Sequence, residues 1–478
     1  MTPAGDAPPK IRILAGERTP PDAAALERLE TVAALPYVAG PVVALGDLHW
    51  KPGLEVPSST ATATEDDIVL SLSSPSMNCG MTLVKTSLVA EEIHDGANIS
   101  RLMMALRDHI PRTRNAPVVT RDEALEFVMR GGRAAARRYG LDLAVIAGME
   151  EGGSLFADWE VDRAAVLDAL DEECLERGRT SFAYIGGGNH FLEIQIVDEI
   201  RDAAACDALG LAVGQVVVMY HTGSERLGHD LGRLYASRLK TSSNRRRRYF
   251  FRKIPLHLGR VRRPGDLARR LRYHFARRQF IPVPAESPEG RRMLLSLKAA
   301  SNYGYANRVA VLELVRRAFF KATGRKESFE VIADLSHNVI GKETIAGRPL
   351  WIHRHNSVRL TPPSQWPEGS LYRRIGRPSM LPGTNRTSSY LLVGREGAAG
   401  TLNSADHGAG RTVERFEEQG LLTPRRDRRT MKFTYRSAIP ESLVHLSDEG
   451  VDEIVALLAG ADVAVPAARL RPIAVLKG

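Results

Sequence analysis

The sequence predicts an α+β protein, because helical and extended patterns occur together without regular alternation. Residues 121–139 have the spacing of an amphipathic helix, and residues 286–321 are strongly helical. Short β-branched or apolar runs, such as 215–220 and 329–335, indicate strands. Helices do not separate these runs one by one, as they would in a doubly wound sheet, so an α+β architecture is favoured.

In the N-terminal part of the chain, apolar residues at helical spacing predict helices over 22–34, 121–139 and 161–176. Apolar runs predict strands over 41–45 and 68–72. The first of these strands leads into Asp47 and His49, and the second leads towards Cys79.

In the C-terminal part, strands are predicted over 215–220, 329–335 and 389–393, with an extended apolar tail over 469–476. Helices are predicted over 286–321 and 448–459. The strand at 215–220 stops at His221, and His337 follows the strand at 329–335. Strand ends therefore present both imidazoles from rigid positions.

The composition is that of a globular protein without a membrane span. The chain has 478 residues, 43% hydrophobic and 26% charged, as is usual for soluble domains. No apolar run reaches the roughly 18 residues of a membrane helix, and residues 1–18 lack the apolar segment of a signal peptide. The three cysteines, Cys79, Cys174 and Cys206, form no disulfide framework, so we expect a reducing, cytoplasmic compartment. The sequence shows no interface stripe, and a monomer is the default expectation.

Positive charge is concentrated in one segment. Residues 245–278 contain 14 Arg or Lys and one acid, Asp266, a local charge of +13 in a chain of net charge +10. Aromatic residues are interleaved with the arginines at 245–253. Because guanidinium groups bind phosphates and stack on bases, this segment predicts contact with RNA or DNA. The alternative is a solvated basic loop.

Cys79, His190, His221 and His337 form a candidate metal-ligand set. Imidazole and thiolate are the ligands that transition metals prefer, although a single histidine at a strand end is more often a hydrogen-bonded structural residue. Glycines 186–188 before His190 allow the backbone to approach a ligand closely. His407 precedes a second glycine-rich turn, whose N–H groups suit a phosphate. Together these features predict metal-dependent phosphate chemistry.

Several strings, in order along the chain, resemble the RtcB family of RNA-splicing ligases. They cover most of the chain from about Gly46 to its last residue, and their number and order make the resemblance specific. The strings are Asn78-Cys79-Gly80-Met81, Gly186-Gly187-Gly188-Asn189-His190-Phe191-Leu192-Glu193, His221-Thr222-Gly223-Ser224, Ser287-Pro288-Glu289-Gly290, Ala306-Asn307-Arg308, Ser336-His337-Asn338, His407-Gly408-Ala409-Gly410-Arg411 and the terminal Lys477-Gly478.

The resemblance implies a GTP- and Mn²⁺-dependent ligase that joins RNA 3′-phosphate or 2′,3′-cyclic phosphate ends to 5′-hydroxyl ends. In this pattern His407 attacks the α-phosphate of GTP and becomes guanylated. Cys79 bridges two metal ions, with His190, His221 and His337 as the imidazole ligands. The positions that match nucleotide-contacting strings are Asn189, His190, Phe191, Leu192, Glu193, His337, Asn338, Pro382, Gly383, Thr384, Asn385, Ser389, His407, Gly408, Ala409, Gly410 and Lys477.

The sequence also departs from the family pattern. Ser76 stands where the family has an Asp three residues before the bridging cysteine, and a hydroxyl is a poorer metal ligand than a carboxylate. We therefore expect a diverged paralogue that binds one or two Mn²⁺ ions. Two alternatives stay open: a related enzyme that hydrolyses or modifies RNA ends, and a guanylate- or RNA-binding protein without ligase activity.

The resemblance also sets the expected domain organisation. It implies one large catalytic domain over 41–478, with mixed or antiparallel sheets surrounded by helices, after an N-terminal extension over 1–40. The basic segment corresponds to an insertion at about 241–280. RNA is the expected partner, and no membrane contact is expected.

Overall fold

A computed structural model describes residues 10–93, 96–112, 116–156, 162–236, 243–259, 261, 263–276, 278–437 and 439–478, with the side chains of 243–246 left aside. It confirms the α+β prediction: helices surround mixed sheets in a single domain. None of the helices in these ranges is long and apolar enough to cross a membrane.

The strands are β1 (Ile11–Ile13), β2 (Val42–His49), β3 (Ser58–Thr64), β4 (Asp67–Ile68), β5 (Gly80–Val89), β6 (Phe191–Ile200), β7 (Gln215–Thr222), β8 (Val283–Pro284), β9 (Phe329–Ser336), β10 (Ile340–Ile345), β11 (Arg348–His355), β12 (Ser357–Arg359), β13 (Pro378–Leu381), β14 (Ser389–Gly394), β15 (Ser404–Asp406), β16 (Pro424–Thr434), β17 (Glu441–Leu446) and β18 (Ala464–Lys477).

The α-helices are α1 (Ala23–Ala33), α2 (Ala90–Ile93), α3 (Gly96–His109), α4 (Arg121–Tyr139), α5 (Arg163–Ala169), α6 (Glu172–Arg179), α7 (Ala203–Leu209), α8 (Glu225–Tyr235), α9 (Ser243–His257), α10 (Pro264–Arg270), α11 (Pro288–Thr323), α12 (Leu371–Ile375), α13 (Gly410–Glu418) and α14 (Glu449–Gly460). Short 3₁₀ turns cover Leu70–Leu72, Leu143–Ile146, Glu150–Gly153, Pro363–Gln365 and Glu396–Thr401, and a π-helical turn covers Leu271–Phe275.

The largest sheet has nine strands and forms the frame of the protein. Its main path runs β13-β14-β18-β6-β7-β5-β9, and β16 joins β18 and β17 at one side. The neighbours along the main path are antiparallel, whereas β16 and β18 are parallel. A second sheet has the order β1-β2-β3-β11-β10. Two short pairs, β12-β15 and β4-β8, complete the described sheets.

The long helix α11 packs against the large sheet. Ser287 caps its N-terminus by accepting a hydrogen bond from the Gly290 N–H at 3.0 Å, and Pro288 occupies its first turn. Most of its middle part, including Asn307 and Arg308, is buried. This burial brings polar side chains of α11 beneath the sheet edge that carries the candidate site.

Most of the elements predicted from the sequence are confirmed, with shifts of a few residues at their ends. The strand predicted over 68–72 is wrong beyond Ile68, because Leu70–Leu72 forms a 3₁₀ turn. The helix predicted over 161–176 is two helices, α5 and α6, which separate where Leu170 adopts an extended conformation and Asp171 caps α6; residue 161 lies outside the described part. Apolarity alone did not distinguish these cases, because both segments are buried in the core.

The N-terminal extension and the basic insertion are only partly described. Residues 1–9 lie outside the described ranges, whereas β1 pairs with β2 and α1 packs in the core beside it. Of the insertion predicted at about 241–280, residues 241–242, 260, 262 and 277 lie outside, as do the side chains of 243–246. The remainder forms α9, α10 and the π-helical turn.

Candidate active site

The structure brings the four candidate metal ligands to one edge of the large sheet. His221 lies at the end of β7, Cys79 directly precedes β5, and His190 directly precedes β6. His337 follows the last residue of β9. The order β6-β7-β5-β9 makes these strands direct neighbours, so their ends converge although they lie far apart in sequence.

The donor atoms of this cluster are close together. Cys79 Sγ lies 3.1 Å from His190 Nε2 and 3.1 Å from His221 Nε2, and these three atoms all lie within 4.8 Å of one another. The Nε2 atoms of His221 and His337 are 3.2 Å apart. Nδ1 of His337 is buried and has no hydrogen-bond partner among the described residues. Four soft or borderline donors that converge in a buried space suit a transition-metal ion.

Burial shapes the protonation of the cluster. It lowers the pKa of His221 and His337 well below the usual value, and the neighbouring histidines lower it further. Burial also opposes the charged form of His190, but Glu225 and Cys79 outweigh it and raise the pKa of His190. Neutral imidazoles are the form that ligates a metal.

His190 is held by groups behind it. Its Nδ1 lies 2.9 Å from the carbonyl oxygen of Ile185 and 3.1 Å from Glu225 Oε1. The same carboxylate accepts hydrogen bonds from Thr222 Oγ1 at 3.0 Å and from Gly223 N at 3.3 Å. Glu225 therefore links the loop that follows His221 to the ring of His190, and such partners orient metal ligands.

A buried ion pair supports the turn that carries Cys79. The guanidinium of Arg308 donates to both carboxylate oxygens of Asp334, at 2.7 and 2.9 Å, and to Asn78 Oδ1 at 2.7 Å. Asn78 has a φ of 49°, a conformation that asparagine tolerates better than most residues. A Cβ on Gly223 would lie 2.7 Å from the Cα of Cys79, so only glycine permits this contact.

The α11 residue next to Arg308 supports the loop after His221. The side-chain amide of Asn307 donates to Gly223 O at 2.9 Å and accepts from Ala183 N at 2.7 Å. Sequence reasoning placed Asn307 and Arg308 in a family string but gave neither of them, nor Glu225 or Asp334, a role. The sequence pattern indicated little about these residues, because a polar residue that is buried in the fold has no distinctive spacing along the chain.

His407 lies beside the metal-ligand cluster. The centroids of its ring and of the His337 ring are 4.6 Å apart. Burial lowers the pKa of His407 to about 3, with further lowering by His49 and His355. The imidazole is therefore neutral near pH 7.

Two carboxylates fix the backbone around His407. Asp406 accepts hydrogen bonds from Gly46 N at 3.0 Å and from Asp47 N at 2.9 Å. Asp47 in turn accepts from the N–H and the hydroxyl of Thr412, both at 2.7 Å. These bonds join β2 to both sides of the glycine-rich turn, because Asp406 precedes the turn and Thr412 follows it in α13. The turn therefore has a fixed position.

A second group of predicted residues assembles around Glu193. Gln195 Nε2 donates to Glu193 Oε2 at 2.8 Å and to Ser389 Oγ at 3.2 Å. Burial raises the pKa of Glu193 to about 7, although the hydrogen bond from Gln195 and the positive charge of Lys477 both favour the ionised carboxylate. The residues come from β6, β14 and β18, which are neighbours in the large sheet.

Some of the remaining predicted residues lie near a cavity or near the turn after His407, whereas Leu192 lies in the core. Ala409 N donates to Pro382 O at 2.9 Å, which joins the turn after His407 to the 382–385 loop. Asn385 and Lys477 line one cavity of about 390 Å³. Leu192 faces the opposite side of β6, where it is fully buried in the core, so only its backbone could reach a ligand.

The other predicted residues lie in loops, and most of them take part in hydrogen bonds within the protein. Asn189 is exposed in the turn before His190. Asn338 is buried, and its side-chain oxygen accepts a hydrogen bond from Asn356 N at 2.9 Å. Thr384 N donates to Thr387 Oγ1 at 2.8 Å, and Gly383 N donates to Ser389 Oγ at 3.3 Å. The 382–385 loop is therefore held by the hydroxyl groups of Thr387 and Ser389, which follow it in the sequence.

Comparison with known proteins identifies the family. The family model described as tRNA-splicing ligase RtcB matches residues 28–478. The chain belongs to the RtcB family. The RNA-splicing ligase RtcB of Mycobacterium tuberculosis is 31% identical over 467 residues, which cover 94% of this chain and 99% of that protein. The tRNA-splicing ligase RtcB of Thermococcus kodakarensis is 29% identical over 478 residues, which cover 95% of this chain and 91% of that protein.

A third RtcB relative is longer than this chain. The tRNA-splicing ligase RtcB of Pyrococcus furiosus is 30% identical over 420 residues, which cover 84% of this chain. The match covers 40% of that protein, so this chain spans less than half of its length.

Ser76, the residue that departs from the RtcB string, lies in the turn before Cys79. Its carbonyl oxygen accepts a hydrogen bond from Cys79 N at 3.4 Å, and its N–H donates to Ser74 Oγ at 3.2 Å. The side chain is half-buried. The turn expected in this RtcB-family chain is therefore present, but it offers a hydroxyl where a carboxylate would add a charged ligand.

Proposed function

We propose that this protein is a GTP-dependent RNA ligase that joins 3′-phosphate or 2′,3′-cyclic phosphate ends to 5′-hydroxyl ends, in RNA repair or splicing. The observation that carries the proposal is the position of His407, with its ring centroid 4.6 Å from that of His337 at the border of the cluster of one cysteine and three histidines. A buried, neutral histidine next to a metal site suits attack on a phosphate. Membership of the RtcB family supports the same activity.

In this proposal Cys79, His190, His221 and His337 hold the metal. A divalent ion bound there would neutralise charge on the phosphates and orient them. The family resemblance implies Mn²⁺. A set of one thiolate and three imidazoles also suits Zn²⁺, whereas a carboxylate at position 76 would favour a harder ion. Mn²⁺ and Zn²⁺ are therefore the two ions to compare.

His407 acts as the nucleophile. Because its imidazole is neutral, a ring nitrogen has a lone pair available near pH 7. Attack on the α-phosphorus of GTP forms an N–P bond and releases pyrophosphate. A 3′-phosphate oxygen of RNA then takes the guanylate and frees the histidine, and the 5′-hydroxyl attacks the activated phosphate and displaces GMP. A 2′,3′-cyclic phosphate must first be opened by water to give the 3′-phosphate.

The group around Glu193 is suited to the guanine base. A carboxylate and a lysine ammonium, Glu193 and Lys477, offer an acceptor for the guanine N–H groups and a donor for its carbonyl oxygen. Ser389, within the same hydrogen-bond network, adds a hydroxyl. The turn at Gly408, Ala409 and Gly410, which leads into α13, is the proposed contact for the phosphates.

RNA is the proposed partner, and the basic insertion its proposed contact surface. The cytoplasm is the proposed compartment, since Cys79, Cys174 and Cys206 are all unpaired.

A second candidate function follows from Ser76. Without a carboxylate at this position the cluster supplies ligands for one ion more readily than for two. A single-metal enzyme that hydrolyses or modifies RNA ends would use the same cluster without passing a guanylate to RNA.

Incubation with α-labelled GTP and either Mn²⁺ or Zn²⁺ tests the proposal. We expect an acid-labile label on the wild-type chain and none on His407→Ala. The control His109→Ala removes a half-buried histidine of α3 and should label normally. An unlabelled wild-type protein that nevertheless removes RNA terminal phosphates would favour the second candidate.

A further inference from the structure

The helix α9 in the basic insertion buries charged residues and exposes aromatic ones. Arg252 and Lys253 have relative exposures of 8% and 2%, whereas Phe250 and Phe251 have exposures of 49% and 62%. A surface helix normally shows the reverse arrangement. Within the part of the chain that the structure describes, about half or more of each phenylalanine side chain stays uncovered.

The buried charges fix α9 to the body of the protein. Arg252 forms ion pairs with Asp171 and Asp230, and Lys253 donates to the carbonyl oxygens of Ala236 and His274. Each of these side chains has specific partners, so α9 is held in one orientation. The exposure of the opposite face follows from this anchoring.

The exposed face combines ring surfaces with positive charge. The centroids of Phe250 and Phe251 are 6.0 Å apart, with ring planes at 77°. Arg247 precedes the rings on the same helix, whereas Arg248 forms an ion pair with Glu173. Exposed Arg272 lies in the π-helical turn whose Phe275 packs on Phe250. We refer to Phe250 and Phe251 as the aromatic platform. Exposed rings beside guanidinium groups are the features that bind the bases and phosphates of single-stranded nucleic acid.

The helix α8 connects the platform to the candidate active site. At its first residue, Glu225 contacts His190 with an Nδ1–Oε1 distance of 3.1 Å. Further along, Asp230 accepts a hydrogen bond from the Tyr249 hydroxyl at 2.6 Å, and the Arg233 guanidinium lies 5.5 Å from the Tyr249 ring. The rise of an α-helix places Arg233 about 12 Å from Glu225 along the axis. Tyr249 directly precedes the platform.

We propose that the aromatic platform stacks on bases of the RNA strand a few nucleotides from the end that is joined. This inference rests on the proposed RNA ligase function and adds to it the side chains of the basic insertion that hold the strand and the part of the strand that they contact. Base stacking is tolerant of sequence, because every base offers a π face. The platform would therefore increase affinity for longer single strands without selecting a sequence.

The interleaving of charge and rings favours RNA over a lipid surface. A membrane-binding helix separates a continuous apolar face from a charged face. In α9 Arg247 lies one helical turn before Phe250 and Phe251, on the same side of the helix, so phosphates and bases of one strand can be contacted together.

The test compares ring removal with ring replacement. Binding of a fluorescent single-stranded RNA of about 20 nucleotides with a 3′-phosphate is measured by anisotropy at fixed salt. We expect the double variant Phe250→Ala/Phe251→Ala to lose about tenfold or more in affinity. Phe250→Tyr/Phe251→Tyr should retain binding, whereas Phe250→Leu/Phe251→Leu should lose it, because leucine is apolar but has no ring. Phe320→Ala, which removes a 52% exposed phenylalanine from α11, is the matched control.

Two further readouts, labelling by GTP and sedimentation with vesicles, decide between explanations. Labelling by α-labelled GTP does not involve RNA and should be equal in all these variants. RNA affinity that is unchanged in the alanine variant, or retained in the leucine variant, would overturn the proposal. Sedimentation with anionic vesicles that depends on the phenylalanines would also overturn it, in favour of a membrane surface. Absence of labelling together with ring-dependent RNA binding would refute the ligase but leave the platform standing.

Discussion

At the scale of single residues, Ser76 is the position that tests how many metal ions the site holds. We expect Ser76→Asp to raise the metal content of the purified protein from about one ion per chain towards two, because a carboxylate adds a charged oxygen ligand beside Cys79. Elemental analysis after dialysis measures this ratio.

The neutral variant Ser76→Asn is the control for that experiment. Its side chain is similar in size to aspartate but carries no charge, so the metal content should stay near that of the wild type. An unchanged ratio in Ser76→Asp would show that position 76 does not limit metal binding.

Arg308 provides a second residue-scale prediction, which concerns stability. Arg308 and Asp334 are both fully buried, so Arg308→Met leaves a carboxylate without its partner. We expect a loss of about 3–5 kcal/mol in the free energy of unfolding, measured by urea denaturation. The double variant Arg308→Met/Asp334→Leu should recover part of this loss; recovery of none would indicate that Asn78 and the Cys79 turn, not the ion pair, account for it.

The difference between predicted and unpredicted site residues is also clearest at this scale. His190, His221 and His337 were predicted because each follows or ends a recognisable pattern, a glycine run or a strand. Arg308 was not, because its partners Asp334 and Asn78 are distant in sequence, and nothing in the local pattern indicates which charges are paired. Burial of an ion pair depends on tertiary contacts.

At the scale of elements, the anchoring of α9 predicts a pH dependence of stability. Burial lowers the pKa of Lys253 to about 7, far below its ordinary value in an unfolded chain. Between these two values the unfolded state binds more protons than the folded state, so the contribution of Lys253 to stability becomes more favourable as pH rises. Below pH 7 both states bind the proton, and the cost of burying the charge is fully present.

Replacement of this lysine should reveal that cost. We compare the free energy of unfolding of Lys253→Met with that of the wild type by urea denaturation at pH 6.5 and at pH 9. We expect the difference, variant minus wild type, to be about 2 kcal/mol more positive at pH 6.5. Lys326→Met, which removes an exposed lysine after α11, should show no such difference. A pH-independent effect of Lys253→Met would mean that this ammonium remains charged throughout.

Helices were easier to predict from the sequence than strand pairing. The helix α4 was predicted at its observed bounds from the spacing of its apolar residues. The structure shows that a capping box of Thr120 and Glu123 begins the helix and that Gly140 ends it, while Gly131, with a φ of 58°, interrupts it. The strands β7 and β9 were also found, yet nothing in their sequences indicated that β5 lies between them. Pairing is set by contacts between segments that are far apart along the chain, which local patterns do not encode.

At the scale of the whole molecule, the candidate metal site joins distant parts of the chain. Its four ligands lie at the ends of β5, β6, β7 and β9, and the loop with His407 is tied to β2 through Asp406. A metal ion at this position would add a connection between the ends of these neighbouring strands. Because such a site does not exist in the unfolded chain, binding should stabilise the folded state.

This linkage predicts the response of thermal unfolding to metal. We expect the unfolding temperature of metal-stripped protein to rise with added Mn²⁺ or Zn²⁺, equivalent to about 2.7 kcal/mol of stabilisation when the free ion is at 100 times its Kd. Cys79→Ala should abolish the shift, because it removes the sulfur atom that lies 3.1 Å from the Nε2 atoms of both His190 and His221. Cys206→Ala, which removes a buried thiol bonded to Ala467 O, should keep it. A shift that survives in Cys79→Ala would place the ion elsewhere in the protein. The ion that gives the larger shift at equal concentration is the metal that these ligands prefer.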